Sequence, residues 1–574
     1  MPETIALLRI EGVNFDASVT DTNDLSTVRG GSFLHLDAIK AVKAMLERCQ
    51  ASSPTSPIGT LKDVQTLSEG ASIGLFRLTW TEPPLLQKVC ATVAGWLDGR
   101  GQKDLKDAKL DTQHRRILAR ARFATFVVDI VQGTGEDAEA FITARENVIA
   151  ANRWRQMQAP TLVPVKAERA DGRSARDRVC SFDFVRPGSL KQEPIKGEVR
   201  SISRSVFLRR GYGLRRKFDL YAEVLKRAGT SLPDQRFDDY ARNFEEIAGP
   251  GDKGFPLSGK IAVFYADGNA FSRIQDTAVR GDFEPDISGD PHECQRCYDE
   301  RLRGWRDRLL AAVVDRLAAC DVGVRPNGDD KRKCRLRLET LIWAGDDGTW
   351  VVPASFGWTL ASTFFAETLG LDPDSGRPRA DDGWRLRGSK GECQLHHAAG
   401  LVFCHHDAPI TRIHRLARDL AEHAKKVDRG RSLLAYQVLE SFDHIGRDLD
   451  GFRRSRCPAG MRPEEMLIDG ATMAGVPEAM ASLNPEMGPR MARRQVKRLA
   501  LTLHERGAGG EAEALEKALL ADLKADGLQD QVAALHRCFG DGPALWLHLD
   551  DLWDFLVPRK PTTAAGGSAC APTA

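Results

Sequence analysis

Residues 341–354 read LIWAGDDGTWVVPA, two apolar runs closing on adjacent aspartates, Asp346 and Asp347. A tight hairpin accounts for Gly345 and Gly348, because glycine tolerates positive φ and Asp-Gly favours two-residue turns. On that reading the acids are solvated turn residues. The sharper reading places them at a hairpin tip to hold divalent cations, since hard cations such as magnesium take carboxylate oxygens. The letters alone leave both readings open. NGDD at 327–330, before the polar KRK, and ADDG at 380–383, in a Pro/Arg/Gly-rich loop, carry similar letters. Neither lies between two apolar runs.

Working outward, VFYADGNAF ends an apolar run on Asp267, where an acid projects from the carboxyl end of a strand, and Gly268 lets the backbone approach a ligand closely. A turn or helix-cap acid is the plainer alternative. If the 341–354 hairpin lies beside this strand in one sheet, Asp267, Asp346 and Asp347 converge. Two-metal chemistry needs such convergence, because cations about 4 Å apart clamp the attacking and leaving oxygens of an in-line displacement. A nucleoside triphosphate supplies the remaining ligands. Downstream, Lys425, ending RDLAEHAKK, is the candidate cation to neutralise developing charge, with a surface lysine as the alternative. His405 and His406 end LVFCHH; neighbours on a strand face opposite ways, which argues for structural or substrate-contact roles over a shared metal.

The chain of 574 residues exceeds the roughly 250–300 at which single cores stop growing, so several domains are expected. With 42% hydrophobic and 28% charged residues and a formal net charge of +2, the balance is that of a soluble globular protein and by itself implies no nucleic acid. Basic clusters occur nonetheless: LRRGYGLRRK from Leu208, FRRSR from Phe452 and RMARRQVKR from Arg490. A phosphate-rich partner would suit them; solvated helix faces with ion pairs are the alternative. The opening MPETIALLRIEG has no basic n-region, and no run approaches the ~18 apolar residues of a membrane helix, so a cytoplasmic protein without membrane association is expected. Twelve scattered cysteines point to reduced thiols. Cys294 and Cys297 form the one CxxC, near His292, and Cys180 stands alone; without a second CxxC, zinc at these residues is left open.

The pattern predicts strand, helix, strand, helix, strand over IALLRIEGV, FLHLDAIKAVKAMLERC, ASIGLFRLTW, PLLQKVCATVAGWL and FATFVVDIVQ, with DASVTDTNDLSTVRGGS as a polar loop. A similar order recurs from Lys260, indicating two copies of one α+β unit. The expected domains are 1–135, a helical and loop-rich connector over 136–250, 251–430, a helical domain over 431–560 and a disordered tail over 561–574.

FYADGNAF, AGDDG, CHHDAP and AEHAKK resemble the second palm domain of the large polymerase-like subunit of type III CRISPR complexes, a domain related to GGDEF nucleotide cyclases. Ala344 replaces the first glycine of that family's GGDD hairpin. LSTVRGGSFLHLDA resembles the family's first palm. The resemblance implies an α+β fold of two ferredoxin-like palm domains, the first non-catalytic. It further implies Asp267, Asp346 and Asp347 as catalytic residues, and these with Gly268 as ligands of two Mg2+ or Mn2+ ions. Gly268, Asn269, Gly345 and Lys425, with Ser32 and Ser72 from the first palm, would bind nucleotide. The first hairpin, SEGASIGLFRL, carries only Ser72 between Ala71 and Ile73, so that palm would help hold a second nucleotide without binding metal.

The implied activity joins ATP 3′ to 5′ into cyclic oligoadenylate as an antiviral messenger, with RNA or protein as activator. Alternatives are a non-catalytic scaffold of a guide-RNA complex and a mono- or dinucleotide cyclase. The family's HD nuclease domain is expected to be missing, because the first palm strand begins near Ile5, and its zinc module is reduced to unpaired cysteines. Whether the chain acts alone, as a homo-oligomer or within an effector complex is left open.

Overall fold

The computed structural model describes residues 3–13, 19–51, 56–70, 72–82, 84–133, 137–160, 179–188, 192–195, 198–231, 237–249, 256–283, 289–320, 323–324, 334–388, 391–440, 448–485 and 490–556. The NGDD stretch at 327–330 and the tail at 561–574 lie outside them.

The first sheet forms from β1 (Thr4–Gly12), β2 (Leu61–Glu69), β3 (Ile73–Trp80) and β4 (Phe126–Gln132), in the order β2-β3-β1-β4 and antiparallel throughout. The run IALLRI is apolar on both faces because both are covered. Ala6, Leu8 and Ile10 pack with Phe33, Leu34 and Ala38 of α1 (Leu25–Ala51), whereas Leu7 meets Phe141 and Val148 of α2 (Ala138–Gln158).

α1 begins at Leu25, eight residues before the helical pattern predicted from sequence, and LSTVRGGS is helical. Asp24 caps it, accepting from the Thr27 N–H at 2.9 Å. The paired glycines resemble loop punctuation, but they serve a helix crossing. A Cβ on Gly30 would lie 1.9 Å from the Arg209 carbonyl oxygen of α3 (Arg204–Arg227), and one on Gly213 would lie 2.1 Å from the Ser26 oxygen of α1.

The second sheet repeats the first and extends it. Its strands are β5 (Lys260–Gly268), β6 (Glu339–Ala344), β7 (Asp347–Pro353), β8 (His397–His405), β9 (Leu433–Val438) and β10 (Ile468–Asp469), ordered β6-β7-β5-β8-β9-β10. The four strands β6-β7-β5-β8 reproduce the order and antiparallel sense of β2-β3-β1-β4; β9 then joins β8 in parallel. The long helix α4 (Pro291–Ala319) follows β5, α5 (Gly357–Leu369) follows β7, and α6 (Ile410–Val427) connects β8 to β9. Ala262, Phe264 and Ala266 of β5 face Phe364 and Phe365 of α5, and Ile261, Val263 and Tyr265 face Ile413, Ala417 and Leu420 of α6.

Two sequence expectations need correcting here. SLLAYQV, predicted as helix, is strand β9, so this sheet does not end at residue 430. A parallel strand buried on both faces is a continuous apolar run, which periodicity cannot distinguish from a buried helix. The basic segment LRRGYGLRRK turns its buried members inward onto acids rather than to solvent. Arg209 is bonded to Asp21 at 2.8 Å, Arg216 to Asp37 at 2.6 Å and Lys217 to Glu339 at 2.9 Å.

The C-terminal helices α7 (Arg493–Arg506), α8 (Glu511–Ala525), α9 (Gln529–Phe539) and α10 (Pro543–Leu556) dock against the second sheet. Phe555 of α10 packs on Phe403 of β8 with centroids 3.9 Å apart, and the Tyr436 hydroxyl of β9 meets His548 Nδ1 at 2.9 Å.

Candidate active site

The register of β5 and β7 brings the acids together. Gly348 pairs with Ala266, so one residue further Asp347 falls level with Asp267, while Asp346 sits in the turn between β6 and β7. Gly345 takes a φ of +39° to make that turn. Asp267, Asp346 and Asp347 each offer a carboxylate oxygen within 4.8 Å of the others. All three are half-buried.

Like charges at this spacing repel, and the site shows it. Burial first and the Asp267 charge second push Asp346 up to about 6, against opposing pulls from Lys425 and Arg306. The Tyr265 hydroxyl donates to Asp347 at 3.3 Å. Lys425, at the end of α6, pairs with Asp267 and donates to the Gly268 carbonyl oxygen at 2.8 Å. Three half-buried carboxylates facing one point, with the Gly268 carbonyl beside them, form the all-oxygen donor set that a hard divalent cation prefers.

Asn269 is buried and structural in its contacts: its N–H donates to the His396 carbonyl at 2.8 Å and its side-chain amide to that of Arg431 at 3.1 Å. Gly268 leaves no room for a side chain, since a Cβ there would lie 2.6 Å from the Phe271 ring. Ser32 is buried inside α1, and Ser72 sits at the β2–β3 hairpin, its carbonyl accepting from the Gly12 N–H at 2.8 Å. Neither serine hydrogen-bonds to the three carboxylates. ADDG at 380–383 forms a turn before the Arg385–Gly388 strand, and neither Asp381 nor Asp382 joins a group of candidate metal ligands among the described residues.

His405 and His406 behave differently from the expectation for strand neighbours. β8 ends at His405, so His406 escapes the alternation; the rings lie 4.4 Å apart and group with Asp407 as candidate metal ligands. Cys180, Cys294 and Cys297 are free thiols, and none belongs to a metal-ligand group among the described residues.

Two residues were not singled out from sequence. Arg306 of α4 stacks its guanidinium 4.5 Å over the ring of Trp343, which pairs with Gly348 beside the acidic turn, and burial brings it down to about 10. A lone arginine in an amphipathic helix carries no sequence signal for this. Glu11 is the other. TIALLRIEG and KIAVFYADG are both nine-residue strands with an acid eighth and a glycine ninth, so Glu11 is the first sheet's counterpart of Asp267. Its partners differ: Arg9 pairs with Glu11, and Ser72 and Ile73 stand where the second sheet has Asp346 and Asp347. Alignment of the two strands alone would have revealed it.

No protein-family model matches the chain, and no curated protein matches it. Solved structures do. The chain is similar to the Csm1-Csm4 cassette in complex with one ATP, at 10% identity over 97% of this chain and 70% of that one, with a TM-score of 0.50. It is similar to Csm1 of T.onnurineus at 12% identity over 96% and 69%, with a TM-score of 0.50. A Csm1-Csm4 subcomplex of the type III-A CRISPR-Csm interference complex matches at 10% identity over 96% and 70%, with a TM-score of 0.48. At these identities the likeness is one of fold: the α+β architecture is that of the Csm1 palm domains.

Proposed function

We propose that this chain is a metal-dependent nucleotidyltransferase that condenses ATP, 3′ to 5′, into cyclic oligoadenylate-type messengers of a CRISPR-like antiviral response. The observation that carries the reading is the convergence of Asp267, Asp346 and Asp347 within 4.8 Å on adjacent strands of the second sheet. The Csm1-like fold is consistent with it, because the neighbouring structures include one of a Csm1-Csm4 cassette in complex with ATP.

The three acids would hold two Mg2+ or Mn2+ ions, which supply charge neutralisation at the attacking hydroxyl and the departing pyrophosphate. Asp346, raised to about 6, gives up its proton below neutral pH and offers a full carboxylate at pH 7. Lys425 is placed to leave Asp267 for a triphosphate oxygen once cations neutralise the acids. Arg306, held over Trp343, adds a second positive charge on the hairpin side. In the first sheet Glu11 is neutralised by Arg9, consistent with a palm that holds no metal and contacts nucleotide near the Ser72 hairpin.

A non-catalytic subunit that scaffolds a guide-RNA complex is the second reading, favoured by a neighbouring structure being that of a Csm1-Csm4 cassette. One assay separates the two. Incubation of the purified protein with Mg2+ or Mn2+ and each labelled NTP, with and without RNA, is expected to release pyrophosphate and yield oligoadenylate. Asp346→Ala with Asp347→Ala is expected to abolish both. No product under any condition overturns the enzymatic reading; undiminished product in the double variant overturns the site.

A further inference from the structure

A second polar cluster lies away from the carboxylates. β9 runs parallel to β8 with Leu433 opposite Ala398, so its first residues are level with Asp267 and its last lie toward the other end of the sheet. There Tyr436 and Gln437 form the floor of a cleft roofed by Leu547, Asp550 and Asp551 of α10 and bordered by Arg453 and Arg456.

Arg453 makes the cleft chemically distinctive. It is 7% exposed, its Nε is buried with no hydrogen-bond partner, and among the described residues its one side-chain bond is a long contact of 3.4 Å from Nη1 to the Tyr436 carbonyl. No carboxylate among the described residues forms an ion pair with it. Asp450 and Asp551 lie near enough to act on its charge without bonding to it, and a desolvated guanidinium lacking a direct carboxylate partner is costly. Arg456 stands nearby and is half-exposed, bonded to Asp551 at 2.6 Å, so it can turn from that acid to a ligand. Asp550, the adjacent acid, can accept from hydroxyl groups, and Met466 and Leu547 provide apolar contact.

We propose that this cleft binds a small organic phosphate: a phosphomonoester on Arg453 and Arg456, with a hydroxylated body facing Asp550. Two guanidinium groups match a phosphate, which has enough oxygens for both planar forks. A sugar phosphate and a mononucleotide share this chemistry. The proposal stands independently of the nucleotidyltransferase reading.

Isothermal titration tests it on the full chain carrying Asp346→Ala and Asp347→Ala, in EDTA, so that metal-dependent nucleotide binding elsewhere does not contribute. Ribose 5-phosphate and AMP are titrated separately, with inorganic phosphate and sulfate as simple anions. One equivalent of at least one phosphomonoester is expected to bind, with Arg453→Met abolishing the heat. Arg456→Met, at the half-exposed rim, should weaken binding roughly tenfold and serves should Arg453→Met not fold. Tighter binding of AMP than of ribose 5-phosphate identifies a nucleotide, and the reverse a sugar phosphate. No binding of either ester overturns the proposal, as does binding unchanged in the variants. Equal binding of sulfate and the esters marks an adventitious ion only and equally overturns it.

Discussion

At the scale of single residues, the site is a balance between three acids and one lysine. Asp346 titrates near 6 against an ordinary 3.8, chiefly through burial and then through Asp267. A carboxyl held above its unfolded value stabilises the fold while protonated, so that contribution is complete below about 3.8 and is lost as pH rises through about 6. A cation must displace this proton. Mn2+ affinity, followed by electron paramagnetic resonance without nucleotide, is therefore expected to climb up to about tenfold per pH unit below 6 and to level off above it. Lys425 competes with the cation for Asp267 and the Gly268 carbonyl. Lys425→Met should tighten metal binding in the absence of nucleotide while slowing turnover on the order of a hundredfold, a split that a merely structural lysine would not produce. Asp267, Asp346, Asp347 and Lys425 were legible in the sequence because each ends an apolar run or an amphipathic helix. Arg306 was not, because its relation to Asp346 exists only once α4 crosses the hairpin strand carrying Trp343.

Among elements, the hairpin and the α1–α3 crossing contrast in how far the chain announces them. LIWAGDDGTWVVPA states its own geometry: two apolar strands with glycines at the turn. VRGGS reads as loop letters, yet its Gly30 and the Gly213 of α3 are helical glycines whose missing side chains let two helices touch backbone to backbone. Gly213→Ala, with its Cβ 2.1 Å from the Ser26 oxygen, should lower stability by about 1–3 kcal/mol in urea melts, whereas at Gly211 of the same helix a Cβ meets only the Arg215 guanidinium, 4.0 Å away. Strand β9 was misread for a related reason. Its burial on both faces comes from α6 and α10, elements whose packing no local period encodes.

For the whole molecule, the duplicated sheets are joined by a buried ionic knot. Arg29 of α1 donates through Nε to Glu339 at 2.6 Å, and Lys217 of α3 reaches the same carboxylate at 2.9 Å. Glu339 opens β6, the strand that leads to Asp346, so the first unit and the connector grip the base of the acidic hairpin. Glu339→Ala leaves two buried cations without their shared acid and should cost about 3–5 kcal/mol. Calorimetry is expected to show one transition for the parent protein and two for the variant; one unshifted transition in the variant would sink this coupling. The alternation of strands and helices apart from β2 and β9, the repetition of one unit and the acids at its carboxyl ends were determined by the sequence itself, since period, turn chemistry and strand-terminal carboxylates are local properties. The addition of β9 and β10, the helical state of the RGGS segment, the internal use of the basic cluster and the neutralised Glu11 were decided by tertiary structure alone. Each depends on which distant surface covers a residue or which opposite charge meets it, and both are settled only when the chain closes on itself.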